Sequence, residues 1–104
     1  MTINAGAKGV RNELRCEKEL RTQGYKDIIR VKRGHRGLKQ DFFGLFDVIA
    51  LTPDHERLLF IQVKSNRCDA ETRAKIRLFE MPEDCEKWIW IWKDKKGWDT
   101  ELYL

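Results

Sequence analysis

Apolar and polar positions alternate along the chain with two different periods. Residues 8–23 carry apolar side chains at helical spacing, and Gly24 follows as a terminator. Three runs of strand-like pattern come next, over 25–33, 45–51 and 58–64. A Gly-rich basic loop over 34–43 joins the first two, and a short polar loop over 52–57 makes the second pair a hairpin. A second helix is expected over 69–81, stopped by Pro82. Residues 87–93 place Trp88, Trp90 and Trp92 on one strand face and Ile89 and Ile91 on the other, so this strand should be buried on both sides. A turn over 94–97 leads to a last alternating strand over 98–104. The order αβββαββ predicts one α/β (α+β) domain over residues 1–104, a mixed central sheet flanked by helices.

Several polar residues interrupt apolar surroundings. With Val10 at zero and about 100° per residue, the apolar arc of the first helix runs from Cys16 through Leu20 and Val10 to Leu14. Glu13 and Glu17 both fall inside it. A lone buried carboxylate is costly, so each needs a cation, a metal or a water-filled pocket, or must snorkel at the helix edge. Snorkelling is the reading for Glu17. On the hairpin, Asp47 shares a face with Leu45 and Ile49, while Gln62 and Lys64 share the face opposite Ile61 and Val63. If Thr52 faces Arg57, Asp47 lies directly across from Gln62, with Lys64 the next position on that face. The apolar arc of the first helix would cover this face and bring Glu13 to Asp47. Two adjacent carboxylates repel unless a divalent cation lies between them, and such oxygen ligands suit Mg²⁺ or Mn²⁺. The alternative is a buried Asp47–Lys64 ion pair with Gln62 bonded to backbone.

Charge narrows the partner. The formal net charge is +4, and the excess is concentrated between Lys26 and Lys39. Such a cluster suits a polyanion, although a solvated surface would look the same. Hydrophobic residues at 41% with charged residues at 37% exclude both a disordered tail and a membrane-spanning chain. Cys16, Cys68 and Cys85 form no metal-type spacing, and there is no apolar leader, so a reduced, cytoplasmic protein is expected. No nucleotide-binding or acyl-transfer signature is present.

A helix glutamate, a strand aspartate, then an apolar strand ending polar-x-Lys resembles the PD-(D/E)XK nuclease superfamily. The archaeal Holliday junction resolvases look most similar. The stretches that carry the likeness are Gly9-Val-Arg-Asn-Glu13-Leu with Leu20 and Gly24-Tyr25, then Ile29-Arg30-Val31, Phe46-Asp47-Val48-Ile49-Ala50 and Phe60-Ile61-Gln62-Val63-Lys64-Ser65. The resemblance implies a restriction-endonuclease-like core and hydrolysis of DNA phosphodiester bonds with Mg²⁺, Mn²⁺ being a plausible substitute. It implies Glu13, Asp47 and Gln62 as metal ligands, Lys64 as the catalytic lysine, and a homodimer acting on branched DNA. Arg11, Arg30, Lys32, Arg33, His35, Arg36, Lys39 and Arg67 are the expected DNA contacts. Gln62 departs from the commonest pattern, which has Glu or Asp there. An amide oxygen ligates without charge, so metal affinity should be lower. A nucleic-acid-binding module with weakened or lost catalysis is the alternative on the same fold. The Trp88–Trp92 strand is expected to be core or dimer interface rather than a base-stacking surface.

Overall fold

The computed structural model describes residues 5–31 and 41–104. Helix α1 (Ala5–Thr22) follows from the apolar spacing and ends where glycine allows it. The N–H of Gly24 donates to Arg21 O and that of Tyr25 to Leu20 O, both at 3.0 Å. This closing pair of bonds needs a residue of positive φ, and Gly24 sits at +99°. Tyr25 then packs back against the core that holds Leu20.

Strands β1 (Asp27–Arg30), β2 (Val48–Leu51) and β3 (Leu58–Ser65) form an antiparallel meander. Helix α2 (Ala70–Leu78) crosses over to β4 (Cys85–Lys93), which pairs parallel with β3, and β5 (Gly97–Tyr103) returns antiparallel to β4. The five strands stand in sequence order in one mixed sheet, and the fold is α+β. The hairpin register is the expected one: Thr52 N donates to Arg57 O, Leu51 faces Leu58 and Val48 faces Ile61. No helix among the described residues is long and apolar enough to cross a membrane.

Two apolar layers sandwich the sheet. Cys16 and Leu20 of α1 pack on Val48, Ala50, Leu59, Ile61, Val63 and Trp90. On the other face Ile76 of α2 packs with Phe46, Phe60, Cys68, Ile89 and Ile91.

Four details differ from expectation. The buried side of α1 is turned towards Asn12, which is 1% exposed, while Leu14 is 46% exposed. Strand β2 begins at Val48 because residues 42–45 form a tight turn, with Leu45 N bonded to Phe42 O and positive φ at Phe43 and Gly44. Helix α2 starts near the expected place, capped by Asp69, which accepts from Thr72 N, but stops at Leu78, well before Pro82. The reason lies in β4: the ammonium of Lys87, buried at 7% exposure, donates to the carbonyls of Ile76, Arg77 and Phe79 and takes over the end of the helix. Burial holds the pKa of this lysine below the ordinary value. The tryptophan strand β4 is an inner strand with both edges paired. Trp90 lies in the core, and Trp88 and Trp92 are half-buried.

Candidate functional site

Asp47 occupies the point where β2 and β3 part. Its N–H donates to Ile61 O at 2.8 Å, and its carbonyl accepts from Val31 N on the β1 side. Its carboxylate Oδ2 accepts the N–H of Val63 at 2.8 Å. A side-chain oxygen thus fills the place that a main-chain carbonyl holds in a regular ladder. The strand is displaced there, and its alternation is broken. Phe46 packs with the α2 layer and Val48 with the α1 layer, although residues two apart on a regular strand share a face. Asp47 is fully buried.

Glu13 is also buried, at 1% exposure, as its place inside the helical arc requires. It forms part of the wall of a cleft of roughly 450 Å³ between α1 and β1, with Glu17, Ile28, Arg30 and Val31. Glu13 and Asp47 act together on the Cys16 thiol. Burial raises the pKa of that thiol, and the charges of Asp47 and then Glu13 raise it further. The charges of two buried carboxylates from different elements therefore both reach Cys16 on the α1 side.

Gln62 and Lys64 stand elsewhere. They pair in register with Ile89 and Ile91, which belong to the α2 layer. The expectation that α1 covers the face bearing Asp47, Gln62 and Lys64 is thus corrected. Helix α1 covers the Ile61 and Val63 face, and α2 lies on the Gln62 side. Gln62 is buried at 5% exposure and Lys64 half-buried. The charge of Lys64 reaches Cys68 and Asp69 at the start of α2, helping to lower the pKa of Asp69, whose main cause is the hydrogen bond from Thr72. Of the four residues, Glu13 and Asp47 act on the α1 side and Gln62 and Lys64 lie along β3 on the α2 side. Among the described residues, no group of three His, Cys, Asp or Glu gathers around one point.

Asn12 was not singled out by the helical arc, which placed it on the polar side. Its Nδ2 donates to Ser65 Oγ, and its Oδ1 accepts from Arg15 Nη1 at 2.7 Å. The bond to Ser65 ties α1, one residue before Glu13, to β3, one residue after Lys64. No sequence signal marks it, because its partner is far along the chain.

Glu17 does not snorkel alone. It accepts from Arg30 Nε at 2.7 Å and from Arg21 at 2.8 and 2.9 Å. The hydrogen bond from Arg21, with Arg30 behind it, lowers its carboxyl pKa. A lowered carboxyl stabilises the fold above the ordinary carboxylate range, and that contribution disappears as pH falls through the folded value. Glu17→Gln should therefore cost about 1 kcal/mol at neutral pH, after allowance for solvent screening. Thermal unfolding measured across pH should show the difference closing on acidification; a gap that persists at pH 2 would contradict it.

Of the expected DNA contacts, Arg11 and Arg67 are exposed and Arg30 is held by Glu17. Lys32, Arg33, His35, Arg36 and Lys39 lie outside the described residues. Comparison of the chain with protein-family models, with curated proteins and with solved structures gives no match.

Proposed function

We propose that this protein is a metal-dependent DNA endonuclease that hydrolyses phosphodiester bonds in branched DNA and acts as a homodimer. The observation that carries the reading is the burial of two carboxylates, Glu13 on α1 and Asp47 just before β2, whose charges both reach Cys16. Nothing in the hydrophobic packing calls for a carboxylate at either position. Glu13 and Asp47 are charged oxygen donors of the kind a hard divalent cation takes, while Gln62, on the α2 side of the sheet, would add its neutral oxygen only if the strands shift on binding. Bound Mg²⁺ or Mn²⁺ would acidify a water and polarise a phosphate. Lys64 would meet the charge on the phosphate, and Arg30, fixed by Glu17, would hold the neighbouring backbone.

A second reading, a DNA-binding module without catalysis, is favoured by Gln62, which leaves the site with two carboxylates instead of three. Purified protein incubated with labelled four-way junction, duplex and single-stranded DNA, in Mg²⁺, Mn²⁺ or EDTA, separates the two. The nuclease reading expects cutting that EDTA abolishes, and it expects Gln62→Glu to lower the Mg²⁺ concentration needed for half-maximal rate several-fold. Salt-sensitive binding without cutting in either metal would replace it with the second reading.

A further inference from the structure

The helices cover the sheet unequally. Among the described residues, α1 lies mainly over β1 to β3 and reaches β4 through Cys16 near Trp90 and Arg15 over Trp92, and most of the β4–β5 face carries no helix. The register sets Trp88 beside Leu102, Trp90 beside Thr100 and Trp92 beside Trp98 on that face. Trp90 is buried, but Trp88, Trp92 and Trp98 are half-buried, and Leu102 is 45% exposed. Trp98 meets Trp90 and Trp92 edge-on, with centroids 5.3 and 5.2 Å away. The guanidinium of Arg15 lies over the Trp92 ring, 4.5 Å from its centroid. Arg11, one turn earlier on α1, and Lys95 and Lys96, in the β4–β5 turn, are further cations at the Trp92 end of this face.

Aromatic rings with a stacked arginine and flanking lysines match what an unpaired nucleic-acid strand offers: flat bases on a polyanionic backbone. The cations gather at the Trp92 end, where a polyanionic backbone would meet them. The position also fits. Trp92 pairs in register with Ser65, the residue after Lys64, so the patch begins one strand away from the candidate site.

From this we infer that the β4–β5 face around Trp92 and Trp98 is a stacking surface for unpaired DNA bases. The inference builds on the DNA reading above and adds a substrate feature to it: the strand engaged beyond the site is single-stranded. Double-stranded DNA keeps its bases stacked inside the helix and cannot use this surface.

The test is binding in EDTA, so that it stands apart from cleavage. Titration with a twelve-residue oligothymidylate should quench the tryptophan fluorescence, and a duplex of equal length should quench it less. Trp98→Ala should weaken oligothymidylate binding about tenfold, the scale of one lost base stack, while duplex affinity stays unchanged. Trp98→Phe, which keeps a ring, should recover most of the loss and guards against a folding artefact. Equal oligothymidylate affinity for wild type, Trp98→Ala and Trp98→Phe would overturn the inference. So would a Trp98→Ala effect confined to self-association, which would mark the face as an interface between two copies. A protein that stacks oligothymidylate but never cuts DNA would keep this inference and reject the endonuclease.

Discussion

Asp47→Ala should lose both stability and metal-dependent cleavage, and Asp47→Asn should lose only the cleavage. The two effects have separate origins. In the folded chain Oδ2 of Asp47 accepts the N–H of Val63, a residue 7% exposed. Alanine leaves that donor without its side-chain acceptor in a place that water reaches poorly, at a cost of about 1–3 kcal/mol. Asparagine keeps a side-chain oxygen of nearly the same position, so the bond to Val63 can persist and the loss should stay below about 1 kcal/mol. Asparagine does remove the charge that a divalent cation needs beside Glu13. Cleavage should then fall about a hundredfold or more, the scale seen when one charge-stabilising group is removed from an active site. Denaturant unfolding and cleavage of labelled DNA, run on the same two variants, check both parts. Wild-type cleavage by Asp47→Asn would reduce Asp47 to a substitute for a main-chain acceptor.

The larger stability effect should come from Lys87. Its ammonium sits 2.6, 2.8 and 3.1 Å from the carbonyls of Ile76, Phe79 and Arg77. Ile76 and Arg77 lie in the last turn of α2 and Phe79 is its cap, where carbonyls lack the usual helical partners, although Ile76 O also accepts the N–H of Phe79. Lys87→Met keeps the apolar stem and removes all three bonds. The charge no longer has to be buried, which offsets part of the loss, but the carbonyls stay behind under the strand. A net cost of about 3 kcal/mol follows from several bonds to a charged donor. For a domain of this size that lowers Tm by roughly 12–24 °C. Thermal unfolding followed by circular dichroism measures it, and a fall of only a few degrees would mean that the end of α2 finds other donors.

The parts of the fold that depend on neighbours in sequence could be read from the chain. Gly24 marks the end of α1, Asp69 the start of α2, and the short 52–57 loop, with Thr52 facing Arg57, sets the β2–β3 register. The buried position of Glu13 could also be read, because helical phase alone puts it inside. What could not be read depends on partners distant in the chain. Phe46-Asp47-Val48 has the pattern of an uninterrupted strand, and only the bond from Asp47 to Val63 reveals the displacement that separates Asp47 from the Gln62 face. The early end of α2 is decided by Lys87, an element away. Asn12 looks like a surface residue until Ser65 is set beside it. The candidate site depends on just these long-range contacts, so its arrangement could not be read from the sequence.

The parallel pairing of β3 with β4 has a consequence for the order in which the chain can assemble. The β2–β3 and β4–β5 pairs are closed by short turns, whereas β1 meets β2 across residues 31–47 and β3 meets β4 only after the α2 crossover has been placed. Closing those longer segments loses more chain entropy before any contact compensates for it. The two hairpins are thus the local units, and the parallel seam between them is a late step of folding. Gln62 and Lys64 lie along that seam beside Ile89 and Ile91, so the side of the site that would meet a phosphate is finished last, after both halves of the sheet exist.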